Sequence, residues 1–175
     1  TDSATSGTAA TDVESFARLR ETLLDDTLSP TEKIQQLLEL GVQQLDVEGG
    51  YLNRIDSADG VHETTEVAGA LPEEASTTRD LSVTYCRRVV SEGRALAVEH
   101  AEEQGWLDDP AYQKFGFSTY LGARVRSDGR VAGTVCFTSD QPREAPFDDA
   151  DATLLALIAR AIGPLLEQRA HDEQS

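Results

Sequence analysis

Two cysteines, Cys86 and Cys136, are the side chains of this sequence best suited to nucleophilic or redox chemistry. Both lie inside apolar patterns, which indicates buried, reduced thiols and not a disulfide framework. A reactive thiolate needs an electropositive surrounding, yet Arg87 and Arg88 point away from Cys86 if this segment is helical. Burial within an apolar strand should raise the pKa of Cys136. We therefore expect two small core residues and no enzymatic nucleophile.

Metal and phosphate chemistry have little support in the sequence. The three histidines, His62, His100 and His171, show no metal-ligand spacing. The sequence also contains no phosphate-binding glycine loop, nucleophile elbow or kinase motif. It predicts a module without catalytic residues or a metal site, and it leaves open whether a cofactor is bound.

Aromatic residues in the middle of the chain form the best candidate for a small-molecule site. Ligand pockets are mostly apolar with a few placed polar groups, but a closed core has the same composition, so both interpretations stay open. Within the set, a guanidinium on an inner strand face needs an acidic partner or a ligand, unless that face is exposed to solvent. The candidate residues are Tyr85, Cys86, Trp106, Tyr112, Phe115, Tyr120 and, as the strongest member, Arg124.

A β-hairpin is the clearest structural signal. Two apolar strand patterns, Thr119–Arg126 and Val131–Thr138, flank an Asp128-Gly129 pair, which favours a tight turn. The second strand carries no charge on either face, which is typical of a strand in the middle of a covered sheet. Its two predicted faces are Val131, Gly133, Val135 and Phe137 on one side, and Ala132, Thr134, Cys136 and Thr138 on the other.

Helices and shorter strands surround this hairpin in the predicted order. The spacing of apolar residues, together with capping and turn residues, predicts each element. The predicted helices are Val13–Leu28, a helix opened by Ser29-Pro30-Thr31-Glu32, Ser82–Glu92 ended by Gly93, Pro110–Phe115, and a terminal helix from Phe147 with a kink or break near Gly163-Pro164. The other predicted strands are Tyr51–Ile55 after a Gly49-Gly50 break, a polar edge strand Val61–Val67 and Leu96–Val98, with a charged loop over Pro72–Asp80.

Several short motifs resemble a GAF domain of the kind found in prokaryotic sensor histidine kinases and related regulators. The similarity covers about Pro30 to Arg169 and is specific for the fold, not for a ligand. The motifs are Tyr120-Leu121-Gly122-Ala123, Asp128-Gly129, Gly133-Thr134-Val135-Cys136-Phe137, Pro142-Arg143 and Pro146-Phe147-Asp148.

The resemblance implies an α/β (α+β) fold. It would have a central antiparallel sheet of five or six strands, terminal helices on one face, and middle helices and loops over the other. We expect residues 1–12 to be a disordered lead, 13–28 a signalling or dimer helix, and 29–172 the GAF domain. The implied function is non-catalytic sensing within a histidine kinase or transcriptional regulator, through a small-molecule ligand or a signal relayed by the terminal helices.

Two other classes of function remain as alternatives. One is a ligand-free interaction scaffold, a homodimer paired through the stripes Val13–Leu28 and Leu154–Leu166. The other is a GAF-type thiol enzyme, a methionine sulfoxide reductase, although neither Cys86 nor Cys136 lies in the motif of those reductases. Attachment of a bilin is disfavoured because Arg87, not histidine, follows Cys86.

Composition sets the remaining expectations. Fifteen basic against 32 acidic residues give a net charge of −17, which argues against a nucleic-acid or anionic-membrane surface. This acidity, with only two lysines, is typical of cytosolic proteins from extreme halophiles, haloarchaea among them, where molar salt screens self-repulsion. No segment approaches a membrane span, so we expect a cytoplasmic protein without membrane insertion.

Overall fold

The computed structural model of the chain describes residues 2–70 and 78–174, with side chains from residue 12 onward. Within this part, the chain forms five α-helices and six β-strands. The helices are α1 (Asp2–Leu24), α2 (Pro30–Leu45), α3 (Cys86–Glu92), α4 (Pro110–Phe115) and α5 (Asp149–Gln174). The strands are β1 (Gly49–Asp56), β2 (Val61–Gly69), β3 (Thr78–Asp80), β4 (Leu96–Val98), β5 (Thr119–Ser127) and β6 (Arg130–Ser139).

The six strands form one antiparallel sheet in the order β3-β2-β1-β6-β5-β4. Strand β6 lies between β1 and β5, so the prediction of a central strand is confirmed. The β5–β6 hairpin turns at Asp128 and Gly129, whose φ angles are 53° and 75°. Both residues are left-handed, as a two-residue hairpin loop requires, and the predicted turn is confirmed.

Different elements cover the two faces of the sheet. The terminal helices α1, α2 and α5 enclose a cluster that includes Leu37 and Phe137, which we call the helix-side core. Helices α3 and α4, with the loops around them, enclose a second cluster that includes Tyr85 and Cys136, which we call the cavity-side core. Because successive residues of a strand point to opposite faces, β6 supplies neighbouring side chains to both cores.

Helix α2 begins as the sequence predicts. The Ser29 hydroxyl accepts from the backbone N–H of Glu32 at 3.1 Å, and the Glu32 carboxylate accepts from the backbone N–H of Ser29 at 3.1 Å. This capping box satisfies two backbone donors that the first turn would otherwise leave unpaired. The helix then buries Ile34, Leu37, Leu38, Gly41 and Leu45 against the sheet and α5.

Helix α1 differs from its predicted bounds of Val13–Leu28. It already includes residues of the predicted disordered lead, and it ends at Leu24. The segment before Val13 contains no proline, so helical hydrogen bonding can continue there without an apolar stripe. At the other end, the Asp25 carboxylate accepts from the backbone N–H of Thr27 at 2.9 Å and forms a turn that replaces the helix.

Strand β3 corrects the predicted loop over Pro72–Asp80. Thr78–Asp80 pairs antiparallel with Val61–Glu63, and Arg79 reaches across to two side chains of β2. Strand β3 is thus the edge, and β2, the predicted edge, is covered along its first residues. The remainder of the predicted loop, residues 72–77, lies outside the described residues.

The predicted helix Ser82–Glu92 is divided in two. Leu81–Val83 forms a 3-10 turn, Thr84 is extended, and α3 begins only at Cys86. The Thr84 hydroxyl donates to the carbonyl of Leu81 at 2.7 Å and closes this short turn. The end of α3 agrees with the prediction, since Gly93 adopts a left-handed conformation there.

Neither Gly49-Gly50 nor Gly163-Pro164 interrupts its element, and a kink at Pro164 stays a prediction. Gly49 and Gly50 begin β1, and a Cβ on Gly50 would lie only 2.8 Å from the Phe137 ring. Helix α5 runs continuously through Pro164, whose ring removes only the hydrogen bond to the carbonyl of the exposed Arg160. In the described residues, the helices are too short or too polar to cross a membrane.

Candidate functional site

A cavity of about 40 Å³ lies between the sheet and the elements of the cavity-side core. It has room for a few water-sized molecules, since about 10–15 Å³ of such space is needed for each. Its walls come from β1, β2, β3, β5 and β6, from the segment before α3, and from the end of α4. The lining residues are Tyr51, Asn53, His62, Thr64, Arg79, Thr84, Tyr85, Cys86, Phe115, Phe117, Tyr120, Cys136 and Thr138.

Aromatic rings form much of the wall. The Phe117 ring stacks on Phe115 with centroids 5.6 Å apart and lies 6.4 Å from Tyr51. The Tyr85 ring lies 5.0 Å from Tyr120, and its hydroxyl donates to the carbonyl of Phe117 at 3.1 Å. These contacts hold the rings in place around a polar centre.

Arg79 on β3 sets the direction of the hydrogen bonds in that centre. A guanidinium can only donate, and its Nη1 donates to Nδ1 of His62 at 2.6 Å and to the hydroxyl of Thr64 at 3.0 Å. Nδ1 of His62 must therefore accept, so the proton of the neutral ring lies on Nε2. His62 is 5% exposed, and its Nε2 has no hydrogen-bond partner within normal geometry.

A second chain of hydrogen bonds leads from Thr64 to the thiols. The Thr64 hydroxyl donates to Oδ1 of Asn53 at 2.8 Å, which turns the Asn53 amide nitrogen toward the thiols. That nitrogen donates to the Thr134 hydroxyl at 3.1 Å and lies 3.5 Å from Sγ of Cys136. The Thr134 hydroxyl in turn donates to Sγ of Cys86 at 3.1 Å. The chain therefore ends at the Cys86 sulfur as an acceptor.

The two thiols differ in acidity. Burial disfavours the Cys86 thiolate, but the polar groups around it, Cys136, His62 and Thr134, outweigh burial and hold the pKa of Cys86 well below its ordinary value. The pKa of Cys136 is raised, as expected, by its hydrogen bond to Cys86 and by burial. Cys86 was expected to lack a polarising environment because Arg87 points away. The structure corrects this expectation, because His62 approaches Cys86 from β2.

The buried tyrosines lead to a prediction at alkaline pH. Burial raises the pKa of Tyr51 to about 12 and also raises the pKa values of Tyr85 and Tyr120. A raised folded-state pKa stabilises the fold fully below the unfolded value near 10, and this contribution is lost as the pH rises through the folded values. We expect tyrosinate absorption at about 295 nm to appear together with loss of near-ultraviolet circular dichroism above about pH 10. Free titration of these three phenols near pH 10 in the folded protein would contradict this.

Four of the seven residues predicted for the site line the cavity: Tyr85, Cys86, Phe115 and Tyr120. Trp106 and Tyr112 lie one layer behind it. The Trp106 ring packs edge-on against Tyr85 at 5.2 Å, and the Tyr112 hydroxyl donates to Glu102 at 2.7 Å. Binding of a ligand by this set stays a prediction.

Arg124, the strongest predicted member, does not line the cavity. Its guanidinium lies over Gly93 at the C-terminal end of α3, where atoms of Arg124 would be 3.4 to 3.5 Å from a Cβ. A cation there is favourable because the helix end carries partial negative charge. The end of this helix therefore gives Arg124 a structural role that the sequence did not reveal.

Sequence reasoning missed the polar residues of the site, namely Asn53, His62, Thr64, Arg79 and Thr134. One of them left a signal, because Asn53 shares a strand face with Tyr51 and Ile55, both of which are buried. A polar residue on a core-facing position needs partners. In the described part of the chain, no three His, Cys, Asp or Glu side chains are arranged to hold a metal ion.

Comparison with known proteins agrees with this architecture. The GAF domain family model matches residues 29–165, and the chain belongs to that family. No curated protein sequence matches the chain closely enough to count as a relative.

Solved structures of low sequence identity share the fold. The GAF domain of an Acinetobacter phosphoenolpyruvate-protein phosphotransferase has a TM-score of 0.72 at 14% identity, over 94% of this chain and 98% of that one. A free methionine-R-sulfoxide reductase from Neisseria meningitidis, solved with its substrate, has a TM-score of 0.70 at 16% identity, over 91% and 93%. A GAF domain assigned to a sensor histidine kinase of Pseudomonas syringae pv. tomato has a TM-score of 0.65 at 19% identity, over 99% and 97%. The same fold thus occurs in regulatory proteins and in an enzyme.

Proposed function

We propose that this GAF domain is a non-catalytic sensory module of a cytoplasmic signal-transduction protein, a histidine kinase or a transcriptional regulator. The observation that carries the proposal is the position of the cavity on the sheet. The cavity lies on one face, the terminal helices α1, α2 and α5 pack on the other, and β1 and β6 contribute to both. A change at the cavity therefore reaches the terminal helices through the strands that the two layers share.

The size of the cavity limits what it can sense. Pockets for drug-sized ligands measure about 300–1,000 Å³, far more than this cavity holds. A free amino acid such as methionine sulfoxide would need a considerable rearrangement, which weighs against the thiol-reductase alternative. The proposed stimulus is therefore a very small molecule.

A matched pair of substitutions tests the sensory role. Thr64 lines the cavity and Thr65 is exposed, so Thr64→Leu should fill the cavity while Thr65→Leu serves as the control. Any small compound or anion that wild type and Thr65→Leu, purified in molar KCl, release on denaturation should be absent from Thr64→Leu. Hydrogen exchange of amides in α2 and α5 should differ between Thr64→Leu and the other two proteins. The proposal would be contradicted if wild type released no compound and if hydrogen exchange in α2 and α5 were the same in all three proteins.

Exposed apolar residues on the terminal helices support the scaffold alternative. Val13 and Leu24 on α1 are 67% and 66% exposed, and Leu157 on α5 is 37% exposed. Much of the predicted pairing stripes is used within the chain, since Leu19, Leu154 and Ile158 are buried in the helix-side core. A homodimer would have to use the outward residues instead. Light scattering of Val13→Asp/Leu24→Asp beside wild type tests this, because a dimer through these residues should dissociate.

A further inference from the structure

The Cys86 sulfur lies within hydrogen-bond distance of three polar groups. The Thr134 hydroxyl donates to it at 3.1 Å, the Tyr120 hydroxyl lies 3.1 Å away, and the Asn53 amide nitrogen lies at 3.8 Å. A neutral thiol is a weak acceptor and has one proton of its own to place, whereas a thiolate accepts several hydrogen bonds. The arrangement therefore suits an ionised Cys86 sulfur.

The direction of these bonds is fixed from outside the thiol pair. Arg79 can only donate, so the chain through Thr64, Asn53 and Thr134 must present donors to Cys86. The same guanidinium leaves the His62 proton on Nε2, the buried atom without a partner. Both chains start at Arg79: one presents the Thr134 hydroxyl to the Cys86 sulfur, and the other leaves a buried N–H on His62, which lines the same cavity.

The second cysteine lies beside the first. The Asn53 amide nitrogen lies 3.5 Å from Sγ of Cys136 and 3.8 Å from Sγ of Cys86, so one amide group contacts both thiols. Cys136, whose pKa is raised, keeps its proton, and both cysteines line the same cavity. Both cysteines are free thiols. When a nucleophilic thiolate lies next to a protonated thiol, oxidation of the first sulfur can be followed by formation of a disulfide between the two.

The cavity admits only a small oxidant. Its volume of about 40 Å³ exceeds that of one water site, and its half-buried lining residues Arg79 and Phe115 place one side near the surface. A peroxide is small enough to enter. Donors that face the cavity, the His62 Nε2–H and the Tyr120 hydroxyl, can hydrogen-bond to its oxygens.

We propose that Cys86 and Cys136 form a peroxide-responsive thiol pair. The Cys86 thiolate attacks one peroxide oxygen, an S–O bond forms as the O–O bond breaks, and the departing alkoxide or hydroxide takes up a proton. Cys86 sulfenic acid results, the sulfur being oxidised by two electrons and the peroxide reduced to an alcohol or water. The Cys136 sulfur then attacks the Cys86 sulfur, its proton leaves with the hydroxide as water, and a disulfide forms.

This inference rests on the proposed sensory function and names its stimulus class. The disulfide would link the start of α3 to β6, the central strand whose next residue, Phe137, packs in the helix-side core. Shortening the distance between these elements would move β6 against the terminal helices. Each protein molecule would react with one peroxide and would then need a reductant to restore its two thiols, as a redox sensor does.

Intact-mass measurement on the whole chain tests the chemistry. Reduced protein in molar KCl is treated with stoichiometric hydrogen peroxide at neutral pH. We expect wild type to lose the mass of two hydrogen atoms and peptide mapping to place a Cys86–Cys136 bond within one chain. Cys136→Ser should instead gain one oxygen atom and react with dimedone when it is unfolded in its presence, whereas Cys86→Ser should remain unchanged over the same time.

The outcomes separate this inference from the sensory proposal. Unchanged wild-type mass, with both thiols alkylated after unfolding, would overturn the thiol pair while leaving sensing of a non-covalent ligand intact. Oxidation of Cys86→Ser at the wild-type rate would overturn the assignment of Cys86 as the thiol that reacts with peroxide. Disulfide formation with no change in hydrogen exchange of α2 and α5 would support the chemistry and contradict its use in signalling.

Discussion

Replacing Phe137 by alanine is expected to lower the free energy of unfolding by about 3–5 kcal/mol. Phe137 is fully buried at the centre of β6, and its ring packs against Gly41 of α2 and Gly50 of β1. The cavity left by the ring would open between the sheet and the terminal helices, and neighbouring backbone cannot collapse into it. Urea unfolding in molar KCl measures the loss. Leu107→Ala, at a residue that is 52% exposed, is the control and should change stability by less than about 0.5 kcal/mol.

The contact with Gly41 provides an internal check. A Cβ on Gly41 would lie 2.3 Å from the Phe137 ring, so Gly41→Ala alone should destabilise by about 1–3 kcal/mol. In the Phe137→Ala background the added methyl group enters vacated space, and the same substitution should cost much less. Additive effects of the two substitutions would contradict this packing, because residues in contact should show a coupling energy.

Replacing Arg79 by methionine is expected to slow oxidation of Cys86 by hydrogen peroxide at neutral pH by about tenfold or more. Arg79 heads both hydrogen-bond chains. Without it the His62 proton is no longer fixed on Nε2, and the Asn53 amide and the Thr134 hydroxyl are no longer oriented as donors toward the sulfur. The pKa of Cys86 should rise, and each unit of rise lowers the thiolate fraction tenfold below the new pKa. The rate of reaction with hydrogen peroxide as a function of pH, followed by intact mass in the Cys136→Ser background, gives the shift.

Two further variants distinguish the effect of the positive charge of Arg79 from the effect of the hydrogen bonds that it donates. Arg79→Lys keeps the positive charge but loses the fork that donates to two acceptors from one nitrogen, so it should restore the rate only in part. Arg54→Met removes a guanidinium from the same sheet, where it forms an exposed ion pair with Glu63 at 2.9 Å, and should leave the pH profile unchanged. An unshifted profile for Arg79→Met would show that Arg79 does not position the donors.

The elements predicted best are those whose signals are local. The Asp128-Gly129 turn and the capping box of Ser29 and Glu32 involve residues at most three positions apart, and the structure confirms both. The alternating faces of β6 were predictable for the same reason. Local patterns also placed Tyr85, Cys86, Phe115 and Tyr120 on segments that meet at the cavity.

The polar centre of the site was not predictable, because its members meet only through tertiary pairing. Arg79 reaches His62 and Thr64 only because β3 pairs with β2, in a region whose sequence suggests a charged loop. Arg124 shows the opposite case, since a cation on an inner strand face suggested a ligand while the end of α3 accounts for it. Asn53 could have been singled out, since its neighbours on the same face are apolar and an amide buried among them must have partners.

Helix α5 meets the sheet at a point where no side chain intervenes. A Cβ on Gly163 would lie 2.0 Å from the backbone carbonyl oxygen of Arg126, so helix and strand touch backbone to backbone. At 1.5 Å per residue, about 21 Å of helix lies before this contact and about 17 Å after it. The contact is therefore a pivot point near the middle of α5. Rotation of α5 about this contact displaces its two ends by nearly equal distances in opposite directions.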